Sequence, residues 1–200
     1  RTQPLCDVPP FVRGCQPTDD GNLILTIEEK DELLRKEPQA APLIRPFMMG
    51  KDFIERMPRY CLWLVGTSPA EIRKSAIISK RVALCKEVRE KSPDVGRQKL
   101  ALTPTLFREQ LNPAVSIVVP KVSSCNRRYV PMGYLNENTI AGDKLFVIPE
   151  ATVGLFGVLM SNVHMAWMRT VCGYFGPSYS YSNTIVYNNF PFPTLTDEQK

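Results

Sequence analysis

Two hydrophobic rhythms divide this chain. Tyr60-Cys61-Leu62-Trp63-Leu64-Val65 is an unbroken apolar run of strand length closed by Gly66, and it predicts a strand covered on both faces. Leu43 to Met49, the β-branched run Val115 to Val119, Arg128 to Leu135 and Leu145 to Ile148 predict further extended segments, the later ones separated by Lys121 to Asn126 and Asn136 to Gly142. Tyr181 to Tyr187 alternates and predicts a last strand, followed by an extended, proline-locked stretch from Asn189 to Pro193.

Helical signals fall between these runs. Thr26 with Glu29 forms a capping box that opens a short acidic helix through about Lys36. Ser68-Pro69-Ala70-Glu71 combines an N-cap, a proline at the first helical position and a capping-box glutamate. Ile72, Ile77, Val82, Leu84 and Val88 then give the apolar side of one helix or two consecutive ones, stopped by Ser92-Pro93. Thr152 to Val171 is apolar nearly all round and predicts a long central helix. Ser161, Asn162, His164 and Arg169 interrupt it, so it reads as a core helix and not as a membrane span.

These elements predict a mixed α/β (α+β) fold: a mainly antiparallel or mixed sheet, a long central apolar helix and a basic helical segment. The 200 residues fit a single domain, large enough to bury roughly 70% of the surface of its unfolded chain. Within it, residues 1–42 form a proline-rich, turn-rich N-terminal segment with one short helix, 43–193 the core and 194–200 a tail. The chain begins at Arg1 and is expected to be a piece of something longer.

Six scattered cysteines with no Cys-x-x-Cys pair, and one histidine, argue against zinc and for reduced thiols in a cytoplasmic setting. The net charge of +5 is unevenly spread. Between Glu71 and Lys99, nine bases face four acids, so that segment alone carries the equivalent of the whole excess. Such a run is either a solvated helix face or a surface for a polyanion.

Little in the chain resembles catalytic machinery. Glycine-rich nucleotide loops and a Gly-x-Ser-x-Gly elbow are missing. His164 lies mid-helix among Met160, Met165 and Met168 and reads as a hydrogen-bonded structural histidine, which sets aside a thiol hydrolase. Asp20, Glu28 and Lys30 have the spacing of a metal-dependent nuclease only by coincidence, because Glu28 to Lys30 falls in a helical first turn. The aromatics Tyr179, Tyr181, Tyr187, Phe190 and Phe192 read first as core and second as a stacking platform.

The loop from Lys121 to Arg128 is sharper. Lys121, Arg127 and Arg128 are phosphate donors, while Ser123, Ser124 and Asn126 are short enough to reach base edges. Lys80 and Arg81 on the basic helix are further phosphate candidates. Read from the residues alone, the function is DNA contact or a protein-interaction module whose basic face meets an acidic partner.

Several long blocks carry a resemblance. Pro4 to Pro9, Gly21 to Leu23, Ile44 to Phe47, Arg59 to Leu64, Val119 to Ser124, Tyr129 to Gly133, His164 to Arg169 and Tyr181 to Pro193 resemble, in order, the target-recognition domain of type IIL (MmeI-like) restriction-modification enzymes. The resemblance implies sequence-specific binding of double-stranded DNA, in the cytoplasm and away from membranes. It implies no catalytic residue, metal or cofactor in this segment, S-adenosylmethionine in an attached adenine-N6 methyltransferase domain, and an endonuclease domain in some parents. It places base readout in the loop that holds Gly176, Ser178 and Ser180, with Gln16 and the pair Asp143 and Lys144 as further positions. Relatives often carry charged side chains where this chain has Gly176, Ser178 and Ser180, which implies weaker or water-mediated readout there.

Overall fold

The computed structural model describes residues 2–194, so residues 195–200 of the expected tail lie outside the described residues. The turn-rich opening yields a two-residue strand β1 (Val12–Arg13), then β2 (Ile24–Leu25). Thr26 accepts from Glu29 N and Glu29 reaches back to Thr26 N, and this reciprocal cap starts α1 (Ile27–Lys36). After a 3-10 turn come β3 (Ile44–Met48), α2 (Gly50–Glu55) and β4 (Arg59–Leu62). Asp52 joins α2 to β4 by accepting from Met49 N at 2.9 Å and from Arg59 Nε at 3.0 Å.

The second predicted capping box opens α3 (Pro69–Arg73), and Ser75 caps a separate, longer α4 (Ala76–Glu90). Two consecutive helices therefore carry the basic run, followed by a short α5 (Val95–Lys99) that Asp94 caps. Next come β5 (Val115–Pro120), β6 (Val122–Ser124), β7 (Gly133–Asn136), β8 (Ile140–Ala141) and β9 (Leu145–Pro149). The chain finishes with α6 (Val153–Leu159), α7 (Asn162–Val171), β10 (Gly173–Phe175) and β11 (Ser178–Ser180).

Three sheets result: β1-β9-β5-β7, β2-β4-β3-β8 and β10-β11-β6, antiparallel except for β3 with β8. The fold is the mixed α/β architecture the pattern predicts. Residues 12–36 are woven into it, since β1 pairs with β9 and β2 with β4. One core lies on the β5 and β9 face that holds Ile117, Val119 and Ile148 against Met165, Met168, Tyr181 and Tyr187; Phe11 stacks there on Phe146 and Tyr187. A second core gathers Leu23, Leu33, Phe47, Leu62, Ile78 and Phe107 between the β4 sheet and the helices α1 and α4.

Two expected elements come out differently. The single helix predicted from Thr152 to Val171 is two helices, broken at Met160 and Ser161. Ser161 has an extended backbone (ψ 155°) and its hydroxyl accepts from His164 N, so it caps a new helix instead of interrupting an old one. Nor is the segment buried all round, because Val153 is 79% exposed. The strand predicted at Tyr181 to Tyr187 is instead a π-helical turn, Asn183–Tyr187. Ser182 caps it, Asn188 N donates to Asn183 O at 2.8 Å, and Asn189 Nδ2 closes on Thr184 O and Ile185 O. Local side-chain hydrogen bonds here override an alternating pattern. The strand pairing appears upstream, in the stretch read as a loop.

Among the described residues no helix is long and apolar enough to cross a membrane. No cluster of three or more His, Cys, Asp or Glu side chains is gathered as metal ligands among them. Asp20 pairs with Arg97 at 2.6 Å and Lys30 with Asp31 at 2.9 Å, which disperses the nuclease-like trio.

Candidate nucleic-acid interface

Residues 121–128 and 173–180 meet through backbone pairing. β11 runs antiparallel to β6 with Ser178 opposite Ser124, Tyr179 opposite Ser123 and Ser180 opposite Val122. Side chains on a strand alternate faces, so Ser124 and Ser178 share one face while Ser123 points to the other. Ser123 is only 4% exposed, and its hydroxyl has no hydrogen-bond partner among the described residues, whereas Ser124 is exposed. Ser124 also shapes the turn that follows: its carbonyl accepts from Arg127 N at 3.1 Å and its hydroxyl from Asn126 N at 3.3 Å. That turn leaves Asn126, Arg127 and Arg128 exposed, with the Arg128 guanidinium over the Tyr129 ring.

Ser124 and Ser178 line an open groove of about 430 Å³ whose cations are Lys51, Lys121, Arg127 and Lys144. Glu55 is the one carboxylate along the same wall among the described residues, and Lys51 lies 3.8 Å from it. Lys121 is tied in by its backbone: its N–H donates to Lys144 O at 3.1 Å and its carbonyl accepts from Tyr181 N at 2.8 Å. Its ammonium lies 5.1 Å from the Phe146 ring centroid. Partial burial, with the positive charges of Arg13 and Lys144 nearby, pushes the Lys121 pKa down to about 8, against the pull of Asp143.

Lys144 also borders a second cleft, with Gln16, Asp19, Arg59, Arg97 and Asp143. The two depressions therefore adjoin along one side. Their junction depends on two glycines. A Cβ on Gly14 would lie 2.4 Å from Gly142 O, and one on Gly142 would lie 2.6 Å from Phe47 Cζ. This close crossing lets Cys15 N reach Ala141 O at 2.8 Å and sets Gln16 beside Asp143. Gln16 is then held from both sides, its N–H donating to Glu109 at 3.0 Å and its carbonyl accepting from Arg108 N at 2.9 Å. Asp143 is buried and within 3.4 Å of the exposed Lys144 ammonium.

Of the basic helices, α5 reaches this side through Arg97, but α4 does not. Lys80 and Arg81 line a separate depression between α1 and α4, together with Glu29, Glu32 and Lys36. Arg81 donates to the carbonyls of Asn22 (2.9 Å), Ile24 (2.8 Å) and Gly21 and pairs with Glu29, so it staples α4 to the β2 segment. Arg89 is fully buried and spends its donors on five carbonyls, those of Pro17, Thr18, Leu100, Thr103 and Leu106. Lys86, Lys91 and Arg97 pair with Glu90, Glu87 and Asp20. Arg81 and Arg89 are taken up inside the protein, while Lys86 and Lys91 form exposed pairs on the helix surface.

Gly176, at φ +56°, makes the turn between β10 and β11, and Ser180 lies partly buried opposite Val122. His164 is fully buried; its Nε2 meets the Tyr181 hydroxyl at 2.8 Å, and burial pushes its pKa down to about 4. Tyr181, Tyr187, Phe190 and Phe192 are core. The sequence reading passed over Lys51 and Arg13. Each is a single lysine or arginine in an ordinary local context, and only the fold brings either to Lys121 or to the groove.

Comparison with known proteins gives the family and the fold. The family model described as MmeI, target recognition domain, matches residues 1–194. DNA methyltransferase A of Bacillus subtilis (strain 168) is 41% identical over 201 residues, spanning 100% of this chain and 23% of that protein. A solved structure of the type IIL restriction-modification enzyme MmeI in complex with DNA superposes with a TM-score of 0.94 at 36% identity, covering 99% of this chain and 27% of that one. The chain thus spans about a quarter of the length of these relatives. On a match that runs through nearly every residue, the chain belongs to the MmeI target recognition domain family.

Proposed function

We propose that this domain binds duplex DNA sequence-specifically and selects the site at which attached domains of a longer protein methylate adenine at N6, with cleavage where an endonuclease domain accompanies them. The observation that carries the reading is the pairing of β6 with β11. It sets two short hydroxyls, Ser124 and Ser178, among the cations Lys51, Lys121, Arg127 and Lys144 in one groove. Cations there bind phosphates and fix the register of the duplex, while the hydroxyls reach base edges. Gln16, Asp143 and Lys144 extend the same side and supply an amide, an acceptor and a donor for further bases. Asn126 and Arg128 flank the groove at its exposed turn.

Lys80 and Arg81 are left out of the contact, because their depression shares no residue with the groove and Arg81 is committed to carbonyls and Glu29. The rival reading, a basic helical face for an acidic protein, is weakened because Arg81 and Arg89 are taken up by carbonyls. Gly21, Gly66 and Gly176, the glycines with left-handed backbone among the described residues, stand singly in separate turns. In this reading S-adenosylmethionine belongs to the attached methyltransferase domain.

Methylation-site sequencing of DNA from cells that express the full-length parent tests the reading. Ser124→Ala and Ser178→Ala should each relax the motif at one position, since serine hydroxyls contribute only part of the ~1–3 kcal/mol of a bidentate contact. A motif unchanged in both variants removes these hydroxyls from readout.

A further inference from the structure

Resting on the DNA-binding reading above, the geometry points to Phe175 as a reader of the thymine C5 methyl group in the major groove. Phe175 is 73% exposed at the tip of the β10–β11 hairpin, a large ring left in water by the fold. Its place on the hairpin is set by register. Phe175 is opposite Ser178, and Ser178 is opposite Ser124. Directly opposed residues share a face, so the three form one row across the sheet, and two of its members, Ser178 and Ser124, line the cationic groove. The next row, Tyr174, Tyr179 and Ser123, faces the other way, where the Tyr174 and Tyr179 rings pack at 5.6 Å.

Phe175 therefore extends the line of hydroxyls outward by one strand, about 10 Å from Ser124 at two interstrand spacings. Its carrier is stiff. Gly176 takes the left-handed conformation (φ +56°) that turns the hairpin, Pro177 has a fixed φ, and β11 is held on its other edge by β6. A ring on such a mount would meet whatever apolar group lies beside the phosphates that Lys121, Arg127 and Lys144 hold. On the base edges of a major groove that group is the thymine methyl. Charged side chains that would read guanine or cytosine are missing from this row, so an apolar contact is the strongest discrimination it can offer.

The test uses the full-length parent and duplexes built on its mapped methylation motif, with each thymine replaced singly by deoxyuridine, which lacks only the methyl. Affinity is read by fluorescence anisotropy for wild type and Phe175→Ala. One deoxyuridine position should weaken wild-type binding about fourfold, the worth of one buried methyl, and make no difference to Phe175→Ala. The variant should keep the wild-type salt dependence, which reports folding and phosphate contact. A motif without thymine, a wild type indifferent to every deoxyuridine, or a Phe175→Ala variant that keeps the wild-type ratio overturns the assignment while leaving DNA recognition standing. A wild type with no duplex affinity overturns the DNA reading itself.

Discussion

Ser124 is exposed along the groove while Ser123, one residue earlier, is buried at its wall, because a strand turns alternate side chains to opposite faces. The sequence makes the two equivalent; the register separates them. Lys121 differs from an ordinary surface lysine in the same way. Burial, with Arg13 and Lys144 close by, disfavours its charged form and moves its pKa from 10.5 to about 8. Folding thus carries a penalty below pH ~8 that fades as pH rises toward the unfolded value of 10.5, because the unfolded chain then holds the extra proton. Phosphate binding favours the ammonium, so DNA binding should take up a proton above pH ~8. Affinity is expected to fall between about pH 7.5 and 9.5, at a slope approaching about tenfold for each further step of one in pH. Lys121→Arg should flatten that decline when anisotropy is measured at constant ionic strength, and an undiminished slope in the variant would assign the proton elsewhere.

At the scale of elements, local chemistry was legible where a side chain caps a helix. Thr26 with Glu29 and Ser68 with Glu71 form the capping boxes their spacing predicts. Ser161 and Ser182 are caps as well, but each sits inside an apolar pattern long enough to mask it, which is why one helix became two and a strand became a π turn. The basic run was misleading for a different reason. Whether an arginine faces solvent or a cage of carbonyls depends on what folds back onto it, and Arg89 meets segments as far away as Pro17 and Leu106. Arg89→Met should destabilise the domain by more than ~3 kcal/mol in urea unfolding, since it strands several buried carbonyls at ~1–3 kcal/mol each. A loss below ~1 kcal/mol would mean that those carbonyls find water.

Over the whole molecule, the interface is assembled from segments around residues 16, 51, 121–127, 143–144 and 178, and the crossing of Gly14 over Gly142 locks two of them together. Gly142→Ala should cost ~1–3 kcal/mol through overpacking against Phe47 and Met49. It should also weaken DNA binding at temperatures where the variant stays folded, because Asp143 and Lys144 are displaced; wild-type affinity in a folded variant would detach that junction from binding. The sequence by itself determined part of the short-range structure: several of the extended runs, the starts of α1, α3 and α6, and the mixed α/β class, all set by period and capping within a few residues. Its long matched blocks also carried the family. Only the tertiary structure decided which polar side chains share a groove. Lys144 joins Ser178 in one groove and Gln16 in the adjoining cleft through strand register and glycine-thin backbone contacts, and the free energy that selects those pairings is spread over the apolar cores beneath them.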